Sequence, residues 1–127
     1  MVIDTSALIA ILQNEPKSGQ LLSKLEQAKA LRISAATVTE AGIVMHARYG
    51  DAGEMEVDNF INRLTIDVIP LTAEHAELAR YAYRKFGKGN HKAGLNFGDC
   101  FSYALAVSLN EPLLFVGDDF SETDVLK

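Results

Sequence analysis

Apolar positions along the chain fall into four short runs, separated by longer stretches with helical spacing. The first run, V-I-D at residues 2–4, reads as a short buried strand ending in a carboxylate. Residues 5–12 continue as a helix, stopped by Glu15-Pro16. Residues 18–30 carry Leu21, Leu22 and Leu25 on one face, with Lys24 and Glu26 off it, which predicts an amphipathic helix. L-R-I-S-A at 31–35 alternates as a strand does. A helix over 36–50 follows, with Thr37 and Glu40 in capping-box spacing and Gly50 as its stop. A second helix over 51–64 has Asp51, Glu54, Glu56 and Asp58 toward its start, where carboxylates suit the positive end of the dipole.

I-D-V-I-P-L-T at 66–72 predicts a strand, with Pro70 suited to a strand end. Residues 74–86 read as a helix. The Gly-rich, polar segment 87–96 is a loop, and the strongly apolar 97–110 is a helix. P-L-L-F-V-G at 112–117 is apolar throughout, as strands buried in parallel sheets are, and it runs into Asp118, Asp119 and Phe120. Strands alternating with helices predict a single α/β domain over 1–127, a parallel β-sheet flanked by helices on both faces.

Composition narrows the classes. The 127 residues are 48% apolar and 23% charged, which suits a globular chain and excludes disorder. No run reaches the roughly 20 apolar residues a membrane span needs, and no basic-then-apolar leader opens the chain. The single cysteine, Cys100, can form no internal disulfide. These features predict a cytoplasmic protein without a membrane partner. The net charge of −5 argues against a general nucleic-acid binder, so the distribution of charge matters more than its sum.

That distribution is informative. Open parallel sheets bind ligands beyond the carboxyl ends of their strands. Asp4 ends the first predicted strand, and Asp118 and Asp119 follow the last. Glu40 and Asp99 lie near the starts of helices that can face the same edge. Each acid also has a purely structural reading. Asp4 suits a helix cap, Glu40 would complete a box with Thr37, Asp99 would favour a helix dipole, and Asp118-Asp119 would make a surface turn. If they converge, two carboxylates at about 4 Å repel by roughly 4 kcal/mol at an effective dielectric near 20. Four together need protons or a hard divalent cation, and such an ion can support phosphodiester hydrolysis.

V-I-D-T-S-A-L at the start, T-E at 39–40, L-N-F-G-D-C-F-S-Y-A-L-A at 95–106 and L-L-F-V-G-D-D-F-S-E-T-D-V at 113–125 together resemble the PIN-domain family, and within it the VapC toxins of bacterial toxin–antitoxin pairs. The resemblance implies a ribonuclease using Mg²⁺ or Mn²⁺ that leaves 5′-phosphate and 3′-hydroxyl ends. It implies a cognate antitoxin as partner, and a homodimer is expected. Position by position, Asp4, Glu40 and Asp99 match three acids of the family's metal cluster. Gly117 stands where many relatives carry an acid, which makes Asp118 the expected fourth acid and Asp119 its alternative. Thr5 or Ser6 would set a hydroxyl beside the metal.

An acidic pocket must offset its repulsion of RNA. Arg80, Arg84, Lys85, Lys88 and Lys92 fall within thirteen residues, and Arg80 and Arg84 share a helix face, a candidate RNA-binding patch. The rival reading is a solvated helix end that simply favours cations. Cys100, His46 and His75 read as structural. Two alternative functions remain at this level: a non-catalytic module that keeps the fold, and an aspartyl-phosphate protein. The latter is disfavoured because D-T-S replaces the D-x-D of a phosphatase of that type and the 66–72 strand ends without an acid.

Overall fold

Val2 and Ile3 suffice for a strand because neither side chain touches solvent and each faces a different core. The computed structural model describes residues 1–127. Strand β1 (Val2–Ile3) lies between β2 (Arg32–Ser34) and β4 (Leu113–Leu114), and β3 (Asp67–Ile69) forms the outer edge beyond β2. The order is β3-β2-β1-β4, with every pairing parallel. Val2 pairs with both Arg32 and Leu113.

Alternation along these strands separates two layers of helix. Ile3, Ile33 and Leu114 point into a core built with α1 (Thr5–Leu12), α2 (Ser18–Gln27) and α3 (Ala35–Arg63). Val2 and Leu113 point into a second core, built with α4 (Ala73–Phe86) and α5 (Phe97–Leu109). The parallel sheet with helices on both faces is thus as the sequence predicts. Leu8, Ile9, Leu21 and Leu25 are core residues, with Leu12 and Leu22 partly buried against them.

Several boundaries differ from the sequence reading, each for a local reason. Asp4 is not the last residue of β1 but the N-cap of α1. The helix predicted to run to residue 30 ends at Gln27. The helices predicted over 36–50 and 51–64 are both present as the two arms of α3, separated by a kink where Gly50 leaves helical geometry with φ 71° and ψ −156°. That left-handed φ favours glycine, and it stops the first arm where the sequence placed its end.

The capping box predicted at Thr37 and Glu40 does not form. Ser34, at the end of β2, reaches Ala36 N–H first and caps α3 from there. Thr37 and Glu40 therefore fall inside the helix with their side chains free for other partners. Capping boxes do form at Thr72–His75 on α4 and at Asn96–Asp99 on α5. Only Leu113–Leu114 of the predicted last strand is in the sheet. Residues 115–118 then lead to a short 3₁₀ turn, Asp119–Glu122, anchored by buried Phe120 and Val125.

Candidate active site

Three segment starts meet beyond the carboxyl ends of β1 and β2. Asp4 is placed by β1, Glu40 by the second turn of α3, and Asp99 by the cap of α5. Asp4 is 2% exposed and held from three sides. Ser6 donates to its Oδ2 from both backbone N–H (3.0 Å) and hydroxyl (2.6 Å). Ser102 donates to its Oδ1 at 2.6 Å. Thr37 Oγ1 stands 3.3 Å from the Ser102 hydroxyl, whose own proton is committed to Asp4, so Thr37 is the donor there. Burial pushes the Asp4 carboxyl up from its ordinary pKa, and the Ser102 and Ser6 hydrogen bonds oppose that rise.

Ser6 has a further partner. Its hydroxyl accepts from Val116 N–H at 3.0 Å, which ties the chain leaving β4 to the start of α1. Thr5, the other hydroxyl singled out in the sequence, donates to Glu40 Oε1, a carboxylate on another helix.

Asp99 is half-buried. Its Oδ2 accepts from Asn96 N–H at 3.0 Å, and Asn96 Oδ1 accepts from Asp99 N–H at 2.9 Å. Burial is the largest cause lifting its pKa to about 7, and the charges of Asp4, Asp119 and Glu40 add to it. These three carboxylates are therefore close enough to repel the charge on Asp99. Glu40 lies directly against the backbone of Gly98, in the space that a Cβ at that position would fill. Only glycine before Asp99 lets the two helix starts approach this closely.

Among the last acids, Asp119 acts on Asp99 and Asp118 is not among the charges that do. Both are exposed. Asp119 begins the 3₁₀ turn, and Asp118 precedes it. Ser102 was not singled out in the sequence, and Thr37 only as a helix cap. Ser102 lies one turn after Asp99 on the same helix face, and that spacing was the available signal.

No three of the carboxylates, with or without His or Cys, close on a point that could hold a metal ion in this arrangement. Glu40 is turned to Thr5 and Asp99 to the α5 cap. The donor set still fits a hard divalent cation. It is all oxygen, it is partly buried, and the repulsion felt at Asp99 is of the kind that such an ion relieves. Cys100 offers no competing chemistry. Burial pushes its thiol up to about 11, and it donates to Asn96 O at 3.2 Å.

The predicted basic patch divides in two. Arg80, Arg84 and Lys88 line one groove of about 740 Å³ with Tyr83, Phe97 and Phe101, and Asn96 of the α5 cap forms its wall toward Asp99. None of the three is in an ion pair. Lys85 instead approaches Asp124 at 4.0 Å, and Lys92 pairs with Glu122 at 3.0 Å. His75 is buried as part of the α4 cap, with Nδ1 accepting from Thr72 N–H, while exposed His46 faces Asp51 and Glu54.

The sequence and the structure each have known counterparts. A family model described as the PIN domain matches residues 1–126. Ribonuclease VapC30 of Mycobacterium tuberculosis is 46% identical over 125 residues, a match covering 98% of this chain and 95% of that protein. Two solved structures share the fold at low identity. Mycobacterium tuberculosis VapC20, described as a sarcin-ricin loop cleaving toxin, superposes with a TM-score of 0.79 at 16% identity, covering 98% of this chain and 95% of that one. A toxin–antitoxin complex from Klebsiella pneumoniae contains a chain with a TM-score of 0.75 at 17% identity, covering 99% of this chain and 94% of that one.

Proposed function

This chain belongs to the PIN-domain family, as a VapC-type member, and on that premise we propose that it is the ribonuclease toxin of a toxin–antitoxin pair, with Asp4, Glu40, Asp99 and Asp119 as its catalytic acids. The observation that carries the reading is the electrostatic coupling at Asp99. Burial lifts the Asp99 carboxyl, and the charges of Asp4, Asp119 and Glu40, from three other segments, raise its proton affinity further. A non-catalytic module would have no use for that repulsion.

The residues fit a divalent ion, Mg²⁺ or Mn²⁺, held principally by Asp4 and Asp99. When bound, such an ion supplies Lewis-acid stabilisation of the charge that builds on the phosphoryl and leaving oxygens. The chain's own groups do the rest. Ser102 and Ser6 fix both oxygens of Asp4, so the carboxylate loses no further freedom when it takes up its role. Glu40, seated on Gly98 and held by Thr5, is the group placed to accept the proton of an attacking water. Asp119 closes the acidic ring from the C-terminal side, and we assign it in preference to Asp118 because only Asp119 acts on Asp99. Arg80, Arg84 and Lys88 bind the RNA backbone beside these acids.

Water attack with departure of the 3′ oxygen gives 5′-phosphate and 3′-hydroxyl ends. The antitoxin would be a protein partner and the toxin a homodimer, acting in the cytoplasm; no helix is long and apolar enough to cross a membrane. The test is cleavage of RNA by the purified chain with Mn²⁺ or Mg²⁺, with sequencing of the ends. Asp4→Asn should abolish cleavage while the protein stays folded. Equal cleavage by wild type and Asp4→Asn would remove the assignment.

A further inference from the structure

Phe97 is the most exposed large apolar side chain of the molecule, at 78%, and it sits two residues before Asp99. Burying a phenylalanine is normally favourable by roughly 1.5–3 kcal/mol, so folding does not explain its position. Nor is it a loose side chain. It opens α5 directly after the Asn96 cap, and its ring packs edge-to-face on Phe101 with centroids 4.9 Å apart at 89°. One face of an ordered ring is thereby left toward solvent.

Its surroundings show what it faces. Phe97 borders two grooves at once. On one side lie Arg80, Arg84 and Lys88, three cations without carboxylate partners, together with half-exposed Tyr83. On the other side lies Glu40. An apolar peptide segment would leave three cations uncompensated, whereas a polyanion with flat apolar faces satisfies both halves of the groove. Grooves of this kind, with cations along the backbone and an aromatic for the base, suit single-stranded nucleic acid.

We infer that Phe97 is a stacking platform for one unpaired base of the RNA, next to the phosphodiester that the acids cut, and so a specificity-determining residue. This rests on the ribonuclease reading above. A base on Phe97 carries its own phosphate toward Glu40, which borders the same groove. A base held in a duplex has no free face to offer the ring, so the platform selects for unpaired nucleotides.

The test uses the full chain with Mn²⁺, a labelled single-stranded RNA that it cuts, and the same RNA with single abasic sites stepped along the cleavage region. Phe97→Ala should raise KM by roughly five- to 150-fold, the range for loss of one stacked base. Phe97→Trp should restore it, and Phe97→Leu, apolar without a π-face, should behave as Phe97→Ala. One abasic position should harm wild type as much as Phe97→Ala does, and should harm Phe97→Ala no further. Since Phe97 is exposed, Tm and Mn²⁺ affinity should hold. Full activity in Phe97→Leu, additive losses at every abasic position, or unchanged cleavage in Phe97→Ala with only self-association or protein-partner binding altered would each overturn the inference. A wild-type chain that cuts no RNA would instead remove the ribonuclease premise, a result these comparisons would not mimic.

Discussion

Replacing Asp99 with Asn should stabilise the metal-free protein at alkaline pH, although it should destroy the activity. Asp99 binds its proton more tightly in the folded chain, where its pKa is about 7, than at its ordinary value of 3.8. Its contribution to stability is therefore complete below about pH 4 and is lost as pH rises toward 7. That displacement corresponds to about 4 kcal/mol at 1.36 kcal/mol per pH unit. The side chain is only half-buried, and solvent screening reduces the figure to about 2 kcal/mol. Asparagine retains an oxygen to accept from Asn96 N–H but forfeits the favourable charge at the α5 N-terminus, about 0.5 kcal/mol. The net gain at pH 8 is then about 1.5 kcal/mol, or roughly 6 °C in Tm for a domain of this size. Thermal unfolding in a chelator, followed by circular dichroism from pH 4 to 8, reads it directly. The two curves should nearly coincide at pH 4 and separate as pH rises. Added Mn²⁺ should raise the wild-type Tm and leave the Asn variant unmoved. A variant that melts below wild type at pH 8 in chelator, or that keeps the wild-type pH slope, would refute the electrostatic account of the site.

The two candidate fourth acids separate by mutation: Asp119→Asn should lower RNA cleavage by about 10²-fold or more, while Asp118→Asn should stay within a few-fold of wild type. Gly98→Ala would ordinarily favour a helix by about 1 kcal/mol, but its methyl group occupies the place of the Glu40 carboxylate. Cleavage should therefore fall at least tenfold in a chain that circular dichroism shows to be folded. Single alanine variants of Arg80, Arg84 and Lys88 should each reduce the slope of log affinity against log salt by about 0.7, the single-strand value, in fluorescence anisotropy. Lys85→Ala and Lys92→Ala, whose charges Asp124 and Glu122 already engage, should change it by less.

The sequence by itself determined the order and type of the elements. Apolar periodicity and the breaks at Pro16, Gly50 and the 87–96 loop are properties of neighbouring residues, which a one-dimensional reading contains. It also determined the parallel α/β class and put Asp4, Glu40 and Asp99 at one edge, since helix starts after parallel strands have few other places to go. What it left open are competitions between groups far apart in the chain. Ser34 and Thr37 could both cap α3, and the shorter reach of Ser34 freed Thr37 for Ser102 and Glu40 for Thr5. Beyond its spacing one turn after Asp99, Ser102 is one more small residue in an apolar helix until Asp4 arrives from 98 positions away. Asp118 and Asp119 are equivalent in a string of letters; a 3₁₀ turn anchored by Phe120 distinguishes them. The same C-terminal segment supplies Asp124 and Glu122, which divide the basic residues into paired and free. Propensity acts over a turn or two of chain, whereas the site is made of contacts across the fold, and tertiary packing alone decides which of several suitable side chains meet.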